Sequence, residues 1–185
     1  MNPLFQAAIQ VQSFFQTNNW SFCFIGGIAV LRWGQVRMTQ DLDISLFAGF
    51  GPLEPFIEPI LAEFPGRITD AGDFARQHRV LLVRAANDVP VDIVFAGLPF
   101  ESDMMVRATP FAFLDDCDLI TCSAEDLIVQ KAVADRPIDW ADIEGILARQ
   151  GTALKHELII KELEPFCLVK QSPETMDRIK KMVAC

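Results

Sequence analysis

Gly26-Gly27-Ile28-Ala29-Val30-Leu31-Arg32-Trp33-Gly34-Gln35-Val36-Arg37-Met38-Thr39-Gln40-Asp41-Leu42-Asp43-Ile44 is the stretch that decides the fold of this chain. Just before it, Phe22 to Ile25 is a short apolar run that reads as a buried strand. Gly26-Gly27 makes a tight turn, and Ile28 to Trp33 reads as a helix broken at Gly34. A glycine pair between strand and helix lets backbone N–H groups approach an anion closely, and the helix N-terminus adds partial positive charge. Asp41 to Phe47 alternates and predicts a second strand. Residues two apart on a strand share a face, so Asp41 and Asp43 point the same way. Two carboxylates on one face repel each other unless a cation sits between them. A hard divalent ion with oxygen ligands, Mg²⁺ above all, suits that pair.

Working outward, Pro3 is placed to start a first helix. Phe5, Ala8, Ile9, Gln12 and Phe15 recur at helical spacing up to the polar stop Thr17-Asn18-Asn19. Leu53 to Phe64 reads as a helix with Pro59 inside it, and Pro65-Gly66 is its punctuation. Arg79 to Arg84 and Val89 to Phe95 are rich in β-formers and predict a hairpin across Ala85-Ala86-Asn87-Asp88. A further short strand is expected within Phe111 to Leu114 or Leu119 to Thr121. From Ser123, a good helix cap, the chain reads as helices over Ala124 to Ala134, Asp139 to Arg149, Lys155 to Leu163 and Pro173 to Val183. Residues 1–122 are thus expected to form an α/β core, with residues 123–185 a helical part packed on it.

One residue of the hairpin carries chemistry. Asp92 lies in the otherwise apolar run Val91-Asp92-Ile93-Val94-Phe95, and a buried strand rarely carries an Asp that nothing pairs with. Asp41, Asp43 and Asp92 on neighbouring strands make a three-carboxylate site. Such a site can hold two metal ions that clamp the attacking and leaving oxygens of a phosphoryl-type displacement. The hairpin register matters here, because a one-residue slip turns Asp92 away from the pair.

Composition sets the outer limits. The chain has 185 residues, 51% of them hydrophobic and 22% charged, which excludes a disordered chain and allows a sizeable core. Its formal net charge of −9 works against a broad clamp on a phosphate backbone. Cys23, Cys117, Cys122, Cys167 and Cys185 include no C-x-x-C pair, and the only histidines are His78 and His156, so a zinc site or disulfide framework has little support. Thiols in a reducing cytosol are the expectation. The N-terminus lacks the basic region of a signal peptide, and the apolar run Phe22 to Leu31 is too short to span a bilayer, so the expected location is cytoplasmic. Fifteen Phe and no Tyr give apolar mass for packing, and Trp20, Trp33 and Trp140 are expected in the core.

The run from Gly26-Gly27 through Arg37 and Thr39 to Asp41-Leu42-Asp43 resembles the signature of the nucleotidyltransferase (DNA polymerase β-like) superfamily. With Trp33-Gly34, Arg37 and Thr39 ahead of the Asp pair, it is most similar to bacterial AbiEii-type nucleotidyltransferase toxins and their small relatives. Antibiotic nucleotidyltransferases share the same core. The resemblance covers residues 22 to 147. It implies a small mixed β-sheet flanked by helices, and transfer of a nucleoside monophosphate from an NTP to an acceptor hydroxyl with release of pyrophosphate. It implies that Gly26 and Gly27 hold the NTP phosphates, and that Asp41 and Asp43 bind two Mg²⁺ ions. It implies too that Asp92 completes the metal site and serves as base. Ser123 and Lys131 resemble the residues that a helix of the family offers to the triphosphate, while Arg37 and Thr39 belong to the nucleotide-binding signature. Asp139 and Asp142, after Arg136, resemble the family's trailing D-x-x-D-I element. The helical tail from Lys155 onward matches none of it.

Bland readings stand beside these. Arg37 would serve phosphate charge or pair with Asp41; Lys131 would bind phosphate or lie on a solvated helix face; Asp139 and Asp142 would be helix N-terminal charges. Two other functions compete. One is a catalytically silent nucleotide- or partner-binding module, such as the antitoxin-bound half of a pair, for which an acidic surface suits a basic partner. The other is a metal-dependent phosphodiesterase, which usually needs His ligands; both His residues lie outside the constellation. The acceptor stays open between a small molecule, a protein and a nucleic-acid end.

Overall fold

A computed structural model describes residues 2–115 and 117–183 of the chain. The strands are β1 (Phe22–Phe24), β2 (Leu42–Phe47), β3 (Val80–Arg84), β4 (Pro90–Ala96), β5 (Thr109–Leu114) and β6 (Cys117–Thr121). The helices are α1 (Pro3–Thr17), α2 (Gly26–Trp33), α3 (Glu54–Glu63), α4 (Ala71–His78), α5 (Pro99–Arg107), α6 (Ala124–Ala134), α7 (Pro137–Gln150), α8 (His156–Lys170) and α9 (Pro173–Val183). The chain divides into two compact units. The first takes in the residues up to Ile28 together with Met38–Cys122; the second takes in Ala29–Arg37 and the residues from Ser123 on.

The first unit is built on one mixed six-stranded sheet in the order β3-β4-β2-β1-β6-β5. β2 runs parallel to β4 and antiparallel to β1, while β1 pairs with β6 in parallel. Alternation explains the buried face: Leu42, Ile44 and Leu46 of β2 and Val91, Ile93 and Phe95 of β4 are all buried, leaving Asp43 and Asp92 on the opposite side. The expected hairpin forms, with Val83 opposite Val91 and Leu82 opposite Asp92. Both candidate strands near residue 115 form, and they pair with each other, Phe111 opposite Leu119. Pro110 sits on β5 at the sheet edge, the place a strand proline is tolerated. The aromatic excess does packing work: Phe14 meets Phe64 and Trp20 edge-on, and Phe15 meets Phe22 likewise.

α3 forms as expected with Pro59 inside it, and Ile57 and Ile60 are buried on either side of the proline. α4 and α5 fall where the sequence gives no strong periodicity: each buries only two side chains, Ala71 with Ala75, and Phe100 with Met104. That i, i+4 stripe is too narrow to stand out from its polar neighbours.

In the second unit, Ser123 caps α6: its hydroxyl oxygen accepts the Asp126 N–H at 3.1 Å and its hydroxyl donates to Asp126 Oδ2 at 2.6 Å. α8 continues past Pro165 to Lys170, held by a buried stripe of Ile159, Leu163 and Cys167. Residues 29–37 belong to this unit for a visible reason. α7 grips them: Arg149 donates to the Gly34 carbonyl at 2.7 Å, Gln150 donates to the Trp33 carbonyl at 2.8 Å, and Gly145 lets Gln35 pack on its bare Cα. Trp140 is buried, with the Arg178 guanidinium 3.9 Å from its ring centre; Trp20 and Trp33 are only half-buried. Cys23, Cys117, Cys122 and Cys167 are buried thiols, and Cys185 lies outside the described residues. Among the described residues no helix is long and apolar enough to cross a membrane.

Candidate active site

The first unit gathers Gly26, Gly27, Thr39, Asp41, Asp43 and Asp92. The decisive geometry is the β2–β4 register, which sets Asp43 directly opposite Asp92 on adjacent parallel strands. Paired positions on neighbouring strands carry their side chains on the same face, so the two carboxylates are neighbours by construction. Asp41 lies immediately before β2 rather than on it and is exposed, so strand alternation does not set it on the face of Asp43 as expected. The Thr39 hydroxyl donates to Asp41 Oδ1 at 3.1 Å.

The glycine pair is explained by what presses on it. β1 ends at Phe24, and the Ile25 N–H donates to the Asp43 carbonyl at 2.9 Å, which draws Gly26 onto the Asp43 side chain. A methyl group on Gly26 would lie only 2.6 Å from the Asp43 carboxyl carbon, and the residue also has φ +52°, a conformation that side chains disfavour. A methyl group on Gly27 would lie 2.7 Å from Thr39 Cβ. The backbone at the start of α2 is therefore bare where the acid and the threonine reach it.

From this follows a stability prediction. Gly26→Ala is expected to destabilise the fold by about 1–3 kcal/mol, because it adds both backbone strain and a collision with Asp43. Gly27→Ala should cost less, since only the Thr39 side chain has to turn aside. Urea titrations of the two variants test the ranking, and an equal or reversed order would contradict this packing.

Electrostatics separate the three acids. Burial pushes the Asp92 carboxyl above the ordinary aspartate range; the Arg67 guanidinium pulls it back, and the Asp41 charge pushes it up again. Arg67 Nη2 lies 2.6 Å from Asp92 Oδ1. The sequence reading missed Arg67. Nothing local marks it, because its partner is 25 residues away and is reached only once β3 and β4 have paired.

The all-oxygen donor set of Asp41, Asp43 and Asp92 fits a hard divalent cation in chemistry. As the side chains stand, no group of three acids among the described residues is drawn together tightly enough to ligate one ion. The Arg67 guanidinium already neutralises one oxygen of Asp92.

The remaining expected residues meet partners inside the second unit. The Lys131 ammonium lies 3.0 Å from Asp139 Oδ1 and 2.6 Å from Asp142 Oδ2, with all three side chains no more than 6% exposed. Arg37 binds Asp142 in a fork, Nε to Oδ1 at 2.9 Å and Nη2 to Oδ2 at 3.0 Å. It therefore pairs with Asp142, a partner that neither expectation for it named. Arg136 binds Asp139 in the same manner, with Nε 2.6 Å from Oδ2. Asp139 and Asp142 are buried ion-pair acids rather than plain helix N-terminal charges. Burial alone would raise their pKa values; hydrogen bonds from Arg136 and Lys131 to Asp139, and from Arg37 and Lys131 to Asp142, outweigh it and hold both below the ordinary range. Arg37, Lys131, Arg136, Asp139 and Asp142 form a chain of alternating charge, with three cations to two anions.

A mixed sheet in this order, with a glycine turn after β1 and acids on β2 and β4, is the nucleotidyltransferase fold. Solved structures share it. A solution structure of the antibiotic-resistance factor ANT(2'')-Ia has a TM-score of 0.58 at 17% identity, covering 94% of this chain and 96% of that one. A lincomycin-bound crystal structure of the lincosamide antibiotic adenylyltransferase LnuA has a TM-score of 0.53 at 14% identity, covering 76% and 94%. An antigenic nucleotidyltransferase-like protein from Paracoccidioides brasiliensis has a TM-score of 0.52 at 14% identity, covering 94% and 90%. No family model matches the chain, and no curated protein matches it in sequence.

Proposed function

We propose that this chain is a nucleotidyltransferase that moves a nucleoside monophosphate from an NTP to an acceptor hydroxyl and releases pyrophosphate. The observation that carries this reading is the register of β2 on β4, which sets Asp43 beside Asp92 with Asp41 two residues upstream. The bare backbone of Gly26 and Gly27, pressed against Asp43 and Thr39, supports it by offering amide groups next to those acids. The shared fold is consistent with it.

In this reading Asp41 and Asp43 hold a divalent cation. When bound, the cation supplies Lewis-acid polarisation of the α-phosphate and neutralises charge on the departing pyrophosphate. Gly26 and Gly27 lie along the phosphates, and the Thr39 hydroxyl steadies Asp41. Asp92, whose pKa is raised by burial above the ordinary aspartate range, takes the acceptor's hydroxyl proton. The acceptor oxygen then bonds to the α-phosphorus, and the bond from that phosphorus to the bridging oxygen breaks. Arg37, Ser123 and Lys131 carry less of the argument. Their polar atoms meet Asp142, Asp126 and the Asp139–Asp142 pair, so the reading rests on the first unit's residues. The resemblance to AbiEii-type toxins extends the proposal to one half of a toxin–antitoxin pair, which the net charge of −9 supports by suiting a basic protein partner.

A thermal-shift panel of ATP, GTP, CTP and UTP, with and without Mg²⁺, tests binding. At a hundred times its dissociation constant the preferred NTP is expected to raise the melting temperature by about 5–10 °C, and only with Mg²⁺. Labelled-NMP transfer to small-molecule, protein and RNA acceptors then tests catalysis. A shift with no transfer to any of them favours the silent binding module; no shift with any NTP removes the reading.

A further inference from the structure

The position of Arg67 is fixed by backbone before its side chain is considered. Gly66 bridges to Val83, the Arg67 N–H donates to the Leu82 carbonyl at 2.9 Å, and the Arg84 N–H donates to the Pro65 carbonyl at 3.0 Å. This short segment therefore runs along the free edge of β3. Leu82 stands opposite Asp92, and Asp92 opposite Asp43. Arg67, Leu82, Asp92 and Asp43 follow one another across the sheet, and the arginine side chain passes Leu82 to reach Asp92 Oδ1 at 2.6 Å. The side chains of the pair are 24% and 30% exposed, so the guanidinium is partly withdrawn from water and tied to one carboxylate oxygen.

Two cations do not comfortably share that oxygen. A Mg²⁺ ion sits about 2.0–2.1 Å from its ligands and needs a full octahedral shell. A guanidinium N–H donating to the same atom at 2.6 Å takes up one of that oxygen's lone-pair directions, and the like charges repel at such range. We propose that Arg67 is the built-in cation of this acidic centre: it neutralises Asp92, so the centre takes one divalent ion, on Asp41 and Asp43, instead of two. The idea rests on the nucleotidyl-transfer reading for that one ion. It revises the pair of ions that the sequence resemblance implies, and it leaves Asp92 Oδ2 for the acceptor's proton. Arg67 is a positioning residue, since it acts through Asp92.

Ion counting separates this from a merely structural role. Mn²⁺ is titrated into the full chain, with and without a non-hydrolysable ATP analogue, and the loss of the free-ion electron paramagnetic resonance signal gives the ions bound per chain beyond those held by the analogue alone. The wild type is expected to bind one ion, Arg67→Gln two, and the charge-keeping Arg67→Lys one again. Asp92→Asn should still bind one ion and Asp43→Asn none. Two ions on the wild type, or one on a folded Arg67→Gln, would overturn the proposal while leaving nucleotidyl transfer standing. No ion on the wild type under either condition would overturn both. If Arg67→Gln fails to fold, the Asp92→Asn count decides: one ion supports the proposal and none overturns it.

Discussion

Lys131→Met is expected to lower the stability of the folded chain by about 3–5 kcal/mol, the usual effect of removing one partner from a buried ion pair. Methionine fills much the same space as the lysine stem, so the loss is of charge and not of volume. Asp139 and Asp142 would keep Arg136 and Arg37 but lose the ammonium that lies between them. The pH dependence follows from the direction of the shifts. Both carboxyls are held below the ordinary aspartate range in the folded chain. Their contribution is therefore complete above the unfolded pKa of about 3.9 and fades as pH falls through the lower folded values. The gap between wild type and Lys131→Met should accordingly be widest near neutrality and narrow below about pH 4. Urea unfolding of both proteins at several pH values measures it. A variant as stable as wild type at pH 7 would mean that the lysine is not structural. It would return Lys131 to the triphosphate role that the sequence resemblance gives it.

Asp43→Asn is expected to show the opposite profile, with activity lost and the fold kept. In the proposed reaction, loss of a carboxylate that would hold the divalent ion removes several kcal/mol of charge stabilisation, on the order of a thousandfold or more in transfer rate. The amide matches the carboxylate in shape, and removing one of three like charges relieves repulsion, so the melting temperature should stay within about 4 °C of wild type. Steady-state NMP transfer read beside thermal unfolding checks both halves. Near-normal transfer by a folded Asp43→Asn chain would move the chemistry away from β2.

These two outcomes divide residues that look alike in the sequence. Asp41-Leu42-Asp43 and Asp139-Trp140-Ala141-Asp142 are both spaced acid pairs beside basic residues. The first has a period-2 strand after it, and alternation alone puts Asp43 opposite the apolar face of β2. The second acquires its meaning from Arg37, 105 residues away in the chain, and from Lys131 on a different helix. No local pattern encodes such a meeting. The same holds for Arg67, which reaches Asp92 only through the pairing of β3 with β4 and of its own backbone with β3.

The helices show the same divide. α1 and α6 are legible because Pro3 and Ser123 mark their starts, and α1 adds apolar periodicity. α4 and α5 bury two side chains each and are held by their surroundings, so their own residues say little. The helix read as ending at Leu163 instead runs on through Pro165 to Lys170, carried by the buried stripe of Ile159, Leu163 and Cys167.

What the sequence determined by itself is the strand–turn–helix at Gly26-Gly27, the strand after it that sets Asp43 opposite its apolar face, and the change to helices at Ser123. Each depends on spacing within a few residues, and the period of a strand or the demand of a cap acts locally. What the tertiary structure decided is which charges meet. It set Asp92 beside Asp43, gave Arg67 to Asp92, and placed Lys131 between Asp139 and Asp142. Charge pairing depends on distances across strands and helices that the chain fixes only on folding, and burial then makes those meetings obligatory, because an unpaired charge withdrawn from water is too unfavourable to keep.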